Sequence, residues 1–329
     1  MNDWATLKSH AQKCLNEVSW NTWSIDTFLG QGAWSFAMLL KKGKRECVLL
    51  LTNPNITPMN KPDVLGFLPL YQSAANIRIH CRHVGLPVAK TIARPQAWSG
   101  GACVLLSRVA GKDLEHSLQN SNIDAYKIGV RVAHMVRASQ VLGTAHHKHH
   151  QGFGNHIFGM RPRHNSNALA WSTCISTLVD VNEKTNLVIE QLRIMAEQVL
   201  EDAPKTTQIW DVGDRNIMLD DNGDVVGLVD QVDLFTGDEC FVAGFSWAML
   251  GDVHNWSKID DYTQAWRHTW NMTEEQILRT RMYRLACFGR FIGKQVHQLS
   301  KPVLTHNEQQ EALNRWNDCA QKILSEGHG

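Results

Sequence analysis

The sequence predicts an α+β protein of two lobes, a small β-rich lobe at the N-terminus and a larger helical lobe after it. Strand-like apolar runs dominate the chain up to about residue 108. Beyond that point apolar residues recur at helical spacing, as they do in the stretch 123–142. The segment 106–112 separates the two patterns and is predicted to be a hinge. The lobes are therefore expected to cover residues 1–107 and 108–329.

The first lobe is expected to consist mainly of strands, with one helix before them and one helix between them. The strands are indicated by apolar and β-branched runs that end at turn residues, such as the glycine in "KKGKRE". The predicted elements are, in order, a helix over 3–17 with Trp4, Leu7, Ala11 and Leu15 on its apolar side, the strands "WSIDTFLG", "SFAMLLK" and "ECVLLLT", a proline-rich loop over 53–69, a helix over 70–83, and the strands "VAKTIA" and "ACVLLSRV".

The second lobe is expected to be built from long helices. A helix over 123–142 is followed by the stop signal Gly143, and a second helix covers 186–201. The last two helices begin with capping boxes, in which a threonine and an acidic or amide side chain three residues later bond each other's backbone N–H groups. These boxes are Thr273-x-x-Gln276 and Thr305-x-x-Glu308. The tryptophans at 247, 256, 266 and 270 are interpreted mostly as core residues.

A polar hairpin interrupts the helical lobe. In "IWDVGDRNIMLDDNGDVVGLVDQ" two strands, 217–219 and 225–229, flank the Asn222-Gly223 turn. Asn216 starts one strand and Asp230 ends the other, so the hairpin predicts that both lie at one end, with Asp211 in the loop just upstream. One amide and two carboxylates suit phosphoryl transfer, which needs a base and hard oxygen ligands for magnesium. Hairpin ends are also polar simply because they are exposed to solvent. This segment alone therefore leaves open whether it is a phosphoryl-transfer site or only a polar turn.

The segment "FLGQGAWSF" places Gly30 and Gly32 between two strands of the first lobe. A G-x-G between strands most often marks a turn, but it also permits the close backbone approach that phosphate binding requires. Here it precedes a hinge and a distal hairpin carrying D-x-x-x-x-N and a second aspartate, in that order. The combination favours a nucleotide-handling function over a simple turn.

These motifs resemble those of the aminoglycoside phosphotransferase-like kinases, a superfamily of small-molecule kinases with the protein-kinase fold. "LGQGAWS" looks like the family's glycine loop, "LLSRVAGKDL" its hinge, and "WDVGDRNIML…GLVDQVDLFTGDECFVAGF" its catalytic loop, metal aspartate and following helix. "HVGLPVAKTIA" and "GFGNHIFG…LAWSTCI" resemble connecting segments, so the likeness spans about residues 20–300. It implies a two-lobed kinase-like fold and transfer of the γ-phosphate of ATP or GTP to a small-molecule hydroxyl.

The resemblance also assigns roles to single residues. Asp211 would be the catalytic base, and Asn216 and Asp230 would hold Mg²⁺. Gly30, Gly32 and Ser35 would cover the phosphates, while Leu106 and Ser107 would hold the base at the hinge. Asp238 would be a structural carboxylate in the segment that follows. Contacts to the acceptor are expected from residues of the same region, namely Asp233, Asp238, Trp247 and Asp252.

Two departures from the family pattern leave an alternative open. The family's His-Gly pair before the catalytic aspartate is replaced by Ile209 and Trp210. The third strand has no lysine in its window 49–52, and the following helix offers no glutamate partner. A compensating cation is expected from Lys41, Arg78 or Arg82. The alternative is a kinase-fold binding or regulatory protein that no longer catalyses phosphate transfer.

Composition and charge give no support for a nucleic-acid-binding or membrane-binding function. The chain of 329 residues is 43% hydrophobic and carries a formal net charge of +1, so its bulk charge gives no reason to expect nucleic acid or an anionic membrane as partner. No run of about 18 apolar residues is present, and a soluble, cytoplasmic monomer or homodimer is expected. The eight dispersed cysteines are expected to be reduced and mostly buried. "HHKHH" at 146–150 suggests a zinc site, but a solvated turn explains it better.

Overall fold

The computed structural model describes residues 4–31, 35–53, 67–120, 122–140, 167–179, 181–230, 234–298 and 303–326. The chain divides into two compact units. The first comprises Met1–Ala110 with Val226–Val232, and the second comprises Gly111–Val225 with Asp233–Gly329. The chain therefore passes from the first unit to the second within the predicted hinge, three residues later than the expected boundary at 107. The short segment 226–232 belongs to the first unit.

The first unit is built on a five-stranded antiparallel sheet in the order β1-β2-β3-β5-β4. Its elements are α1 (Trp4–Glu17), β1 (Ser24–Gln31), β2 (Ser35–Lys42), β3 (Arg45–Thr52), α2 (Phe67–His83), β4 (Thr91–Trp98) and β5 (Gly101–Leu106). Four predicted strands coincide with β1, β2, β3 and β5 to within three residues. The fifth, "VAKTIA" at 88–93, overlaps β4 only at 91–93, and β4 continues to Trp98. Helix α2 begins three residues before the predicted start at 70, and Pro69 is accommodated in its first turn, where a missing N–H costs nothing.

Each face of this sheet carries its own apolar cluster. On one face, Leu7, Ala11 and Leu15 of α1 pack with β3 residues such as Leu49 and Leu51. The other face is covered by α2, whose Tyr71 packs with β5 residues including Val104 and Leu106. Alternate residues of β3 therefore serve opposite faces, as the pleat requires. Trp4, expected on the apolar side of α1, is exposed because it lies in the first turn, beyond this cluster.

The second unit is mainly helical. Its elements are β6 (Lys112–Asp113), α3 (Leu114–Ser117), α4 (Ala125–Ser139), α5 (Asn167–Ile175), α6 (Glu183–Leu200), β7 (Lys205–Ile209), β8 (Ile217–Leu219), β10 (Leu234–Asp238), α7 (Cys240–Trp247), α8 (Ile259–Trp270), α9 (Glu274–Val296) and α10 (His306–Glu326). Strand β9 (Val225–Leu228) begins in this unit, and its residues 226–228 belong to the first. A π-helical segment, Ala248–Val253, follows α7 directly. Both capping boxes have the predicted bonding, at Thr273 with Gln276 and at Thr305 with Glu308.

The helices of the second unit pack around tryptophans. Trp247, Trp256, Trp266 and Trp270 are all at most 5% exposed, which confirms their interpretation as core residues. Trp270 donates its indole N–H to the Ala133 carbonyl at 3.0 Å and thereby joins α8 to α4. Trp171 and Trp316 donate in the same way to carbonyls of α9, at 2.8 and 2.9 Å. A buried indole is stable when its N–H finds an acceptor, so these bonds fix the helices.

The cysteines are unpaired, as expected. Seven are buried and only Cys319 on α10 is exposed. Among the described residues, no helix has the length and apolar character needed to cross a membrane. The histidine run at 146–150 and the stop signal Gly143 lie outside the described residues.

Candidate functional site

The loop between β7 and β8 holds Asp211 and Asn216 in a closed turn. Asn216 donates from its side-chain nitrogen to the Asp211 carbonyl at 2.9 Å, and its backbone N–H bonds the Gly213 carbonyl at 3.1 Å. Since the amide nitrogen is engaged, the amide oxygen faces away from the Asp211 carbonyl. The five-residue spacing therefore places a carboxylate and an amide oxygen on one small loop (211–216), for which we keep the name catalytic loop that the resemblance implies.

Helix α7 holds the catalytic loop in place by a side-chain hydrogen bond to its backbone. The Ser246 hydroxyl donates to the Val212 carbonyl at 3.1 Å and is itself 2.8 Å from the Tyr262 hydroxyl. Burial raises the pKa of Tyr262 to about 12, so this hydroxyl stays protonated and can donate. These bonds satisfy a buried backbone carbonyl, which would otherwise cost free energy.

The two residues that replace His-Gly are part of the core. Ile209 ends β7 with no exposed surface, and its backbone N–H donates to the Ser139 hydroxyl at 3.1 Å. Trp210 is 7% exposed and packs edge-on against Phe245 of α7, with 5.7 Å between ring centroids. Apolar packing thus anchors the start of the catalytic loop.

A second polar cluster supports the same loop, and sequence reasoning did not identify it. The buried Asp214 carboxylate lies 2.9 Å from His254 Nε2. The hydrogen bond to Asp214 raises the pKa of His254. Arg215 binds both oxygens of Glu115 at 2.7 and 2.9 Å. One atom each from Glu115, Asp214 and His254 lie within 4.8 Å of one another. Because Glu115 and Asp214 are already engaged by Arg215 and His254, we interpret the cluster as a support for the loop.

Asp230 is positioned by bonds within the first unit. Two residues before it, the Leu228 N–H donates to the Pro87 carbonyl at 3.0 Å, and Leu228 forms a parallel bridge with Val88. Gly227 passes so close to Val109 that an added Cβ would lie 2.6 Å from its Cγ1. Asp230 itself has a left-handed backbone with φ of 58°. Such conformations are uncommon outside glycine and often occur at functional positions.

Arg78 of α2 is the cation associated with Asp230. The residue is 3% exposed, and its Nη1 has no hydrogen-bond partner among the described residues. Burial lowers the pKa of Arg78, and the charge of Asp230 acts in the opposite direction. Surrounding protein likewise raises the pKa of the Asp230 carboxyl, and Arg78 counteracts this. Asp230 is nevertheless exposed to solvent, so its pKa shift is caused by protein that surrounds it at longer range. A ligand from solvent can therefore contact the carboxylate.

The other two cations expected as candidates are engaged elsewhere. Lys41 lies 3.1 Å from Asp26 and 3.9 Å from Glu46 on the exposed side of β2. Arg82 is exposed and donates to the Val88 carbonyl at 3.3 Å. Of the three, Arg78 is therefore the buried cation with an unsatisfied donor.

The glycine segment is described only in part. Gly30 lies in β1 opposite Ala37, at an irregularity in the strand register, and an added Cβ would meet no atom within 4 Å. Ser35 is the first residue of β2 and pairs with Thr52 of β3. Gly32 lies outside the described residues. The protein around Gly30 thus does not itself require a glycine there.

The hinge residues are ordered by β4. Leu106 is buried at the end of β5 and pairs with Thr91. Ser107 forms two bonds with Lys90: its N–H donates to the Lys90 carbonyl at 2.7 Å, and its hydroxyl accepts from the Lys90 N–H at 2.8 Å. The N–H of Ser107 is therefore already used within the protein, and its hydroxyl oxygen already accepts one hydrogen bond.

The residues expected to contact an acceptor have different surroundings. Asp238 is completely buried, accepts from the Cys240 N–H at 3.0 Å and lies 3.1 Å from Arg279 Nε, which fits its expected structural role. A fully buried carboxylate cannot contact an acceptor, so its second expected role is wrong. Asp252 is engaged by Arg284 through both oxygens, and Trp247 is buried beside it in a common cavity. Asp233 lies outside the described residues.

Comparisons with known proteins reveal the fold but no sequence relative. No protein-family model matches the chain, and no curated protein matches it. A mutant of aminoglycoside 2'-phosphotransferase-IIIa in complex with GDP aligns with a TM-score of 0.66 and 11% identity, covering 97% of this chain and 99% of that one. A thermostable mutant of aminoglycoside phosphotransferase APH(4)-Ia, in a ternary complex with AMP-PNP and hygromycin B, aligns with a TM-score of 0.61 and 16% identity, over 96% and 99%. The expected kinase-like fold is confirmed.

Proposed function

We propose that this chain is a phosphotransferase that moves the γ-phosphate of ATP or GTP to a hydroxyl group of a small molecule. The observation that carries the proposal is the closed catalytic loop, in which Asn216 is bonded to the Asp211 carbonyl at 2.9 Å. Asp211 would accept the proton of the attacking hydroxyl and orient its oxygen. The fold neighbours contain GDP or AMP-PNP, which supports a nucleotide as co-substrate.

Magnesium is the cation that these residues suit. The Asn216 amide donates through its nitrogen, and its oxygen therefore remains for a metal. Asp230 adds a solvent-accessible carboxylate. An amide oxygen and a carboxylate are hard ligands of the kind Mg²⁺ takes at nucleotide sites, where most remaining positions are water and phosphate oxygens. Bound Mg²⁺ would neutralise charge on the nucleotide phosphates.

We further propose that Arg78 replaces the lysine absent from β3. A buried guanidinium keeps its charge at neutral pH, and Nη1 of Arg78 has no acceptor among the described residues. A phosphate oxygen would satisfy that donor. The helix that carries Arg78 is the one from which the family's glutamate would come, so loss of the lysine and loss of the glutamate are compatible with a cation entering from α2.

The acceptor belongs to a broad class of hydroxylated small molecules, including antibiotics, choline-like compounds, sugars and vitamins. One solved neighbour contains hygromycin B and another contains kanamycin. Low identity to these enzymes means that the fold does not select among these acceptors. A screen of hydroxylated compounds with ATP and with GTP, read by transfer of labelled phosphate, addresses the acceptor directly.

The competing function is a kinase-fold binding protein without catalysis, favoured by the apolar window 49–52 in β3. Thermal unfolding with ATP or GTP, each with and without Mg²⁺, separates the two. The proposed enzyme is stabilised by nucleotide more strongly with Mg²⁺ and transfers phosphate to at least one acceptor. Absence of stabilisation by either nucleotide, together with no phosphate transfer, contradicts the proposal. Nucleotide binding without transfer to any acceptor supports the non-catalytic alternative.

A further inference from the structure

A cavity of about 400 Å³ lies in the second unit beside helix α7. It is lined by residues of α7, the π-helical segment, α8, α9 and α10, and we call it the α7 cavity. Pockets of 300–1,000 Å³ are the usual size for small-molecule ligands. Trp247, Leu285 and Phe288 provide its apolar surface, and each is at most 3% exposed.

The charge of the lining is strongly positive. Four lining side chains are cationic and one, Asp252, is anionic, in a chain whose formal net charge is only +1. Arg284 is neutralised by Asp252, whose two oxygens it binds at 2.7 and 2.8 Å. Arg281 is paired with Glu326. The two remaining cations, Arg267 and Lys322, have no ion pair among the described residues.

An unsatisfied donor adds an independent indication of a ligand. The indole N–H of Trp247 is buried and has no hydrogen-bond partner among the described residues. Three other buried tryptophans of this unit donate to backbone carbonyls, whereas Trp256 and Trp266 are unpaired like Trp247. Of these three indoles without a partner among the described residues of the unit, that of Trp247 is the one that lines the cavity. The Arg267 guanidinium lies 5.7 Å from the centroid of the same ring. A cation and an N–H donor are thus both present at Trp247.

The α7 cavity is separate from the catalytic loop. Phe245 contacts Trp210 and Ser246 bonds the Val212 carbonyl, so both face that loop. Successive helix residues are about 100° apart, which directs Trp247 about 150° away from the midpoint of Phe245 and Ser246. The cavity therefore lies on the opposite face of α7. Trp247 and Asp252, which were expected to contact an acceptor at the catalytic loop, instead line this cavity.

We propose that the α7 cavity binds a small organic anion, in which a carboxylate or phosphate group is attached to an aromatic or other apolar body. Arg267, Lys322 and the Trp247 N–H would contact the anionic oxygens. Leu285 and Phe288 would contact the apolar body. Charge-assisted hydrogen bonds to such oxygens are among the stronger polar contacts in proteins, and the apolar lining adds the free energy of burying the body.

The exposed thiol of Cys319 gives a direct test because it lines the cavity and the other seven cysteines are buried. The rate of alkylation of Cys319 by neutral iodoacetamide is measured by peptide mass spectrometry, with increasing 1-naphthoate or 1-naphthyl phosphate. Both anions are expected to slow alkylation at saturation. The neutral 1-naphthalenemethanol and the cationic 1-naphthylmethylamine are expected to protect much less. No nucleotide is present, so the outcome does not depend on the proposed phosphotransferase activity.

The cations are tested with Arg267→Gln and Lys322→Gln, both exposed positions that tolerate substitution. Each is expected to raise the half-protecting anion concentration roughly tenfold. Arg131→Gln, an exposed position on α4 outside the cavity, is the control with the same charge change and should leave it unchanged.

A second measurement uses the reagent itself as the anion. The ratio of Cys319 alkylation rates with iodoacetate and iodoacetamide should fall in both cavity variants but not in the control. Because the ratio compares two reagents on one thiol, a change in the pKa of Cys319 cancels. Equal protection by the alcohol and the anions, no protection by either anion, or a ratio unaffected by both cavity substitutions would overturn the proposal.

Discussion

The side chain of Asn216 donates a hydrogen bond to the backbone carbonyl of Asp211 at 2.9 Å, five residues back along the chain. One bond thus fixes the spacing between the proposed base and a proposed magnesium ligand. Asp211→Asn should lower phosphate transfer by about 10²-fold or more, because the amide cannot accept the hydroxyl proton. The melting temperature should change little, since Asp211 is only partly buried. Turnover equal to wild type would exclude Asp211 as the base.

Substitution of Asn216 should affect the metal rather than the nucleotide alone. Asn216→Ala removes both the amide oxygen and the bond to the Asp211 carbonyl. The additional thermal stabilisation that Mg²⁺ gives to bound nucleotide should largely disappear. Asn222→Ala, in the exposed turn of the same hairpin, is the matched control and should keep that stabilisation. Equal Mg²⁺ dependence in both variants would remove Asn216 from the metal site.

Arg78→Met is expected to weaken nucleotide binding, because it removes the buried cation proposed to contact phosphate. Arg78→Lys should retain part of the binding, since it preserves the charge but not the planar donor arrangement. Isothermal titration with Mg²⁺-nucleotide measures the effect. Arg82→Met, an exposed arginine one turn further along α2, is the control. If Arg82→Met weakens binding as much as Arg78→Met, then Arg78 has no special role.

The buried pair Arg279–Asp238 should be important for stability. Its charged atoms lie 3.1 Å apart with side-chain exposures of 4% and 0%. Arg279→Met leaves the Asp238 charge buried without its partner and should reduce the free energy of unfolding by about 3–5 kcal/mol. Arg193→Met, which breaks an exposed pair with Glu190, should cost at most about 1 kcal/mol. Chemical denaturation of both variants provides the comparison, and similar losses would contradict the assignment.

Close packing of α7 against α9 makes Gly244 intolerant of a side chain. An added Cβ would lie 2.6 Å from the Tyr283 Cβ and 2.7 Å from the Thr280 carbonyl oxygen. Gly244→Ala should therefore destabilise the protein by about 1–3 kcal/mol. Gly30→Ala is the matched control, because its Cβ would meet no atom within 4 Å. Thermal unfolding should separate the two, and a Gly244→Ala protein as stable as Gly30→Ala would refute this packing.

The His254–Asp214 contact predicts a pH-dependent contribution to stability. The hydrogen bond to Asp214 raises the pKa of His254 in the folded protein. A raised folded pKa gives stability that is fully present below the ordinary value of about 6.5 and is lost as pH rises through the folded value. The stability difference between wild type and His254→Gln should thus be larger at acidic than at alkaline pH. A difference independent of pH would mean that the imidazolium charge contributes nothing.

Local patterns were sufficient to predict the strands, the helices with capping boxes and the polar hairpin turn, because these depend on residues close in sequence. Burial of Arg78 was not predictable in this way, since the residue that stabilises its charge is Asp230, far along the chain. The α7 cavity was missed for the same reason: its lining comes from separate helices. Ile209 and Trp210 appeared only as departures from a motif, whereas the structure gives them a packing role.

The cover that α1 provides for the sheet has a practical consequence. Leu7, Ala11 and Leu15 are all at most 3% exposed against β3. A chain trimmed to begin at β1 would uncover a continuous apolar surface on a β-sheet. Such a surface promotes self-association, so the shortened protein should precipitate or form oligomers even though every proposed ligand and base remains. The first helix is therefore a determinant of solubility.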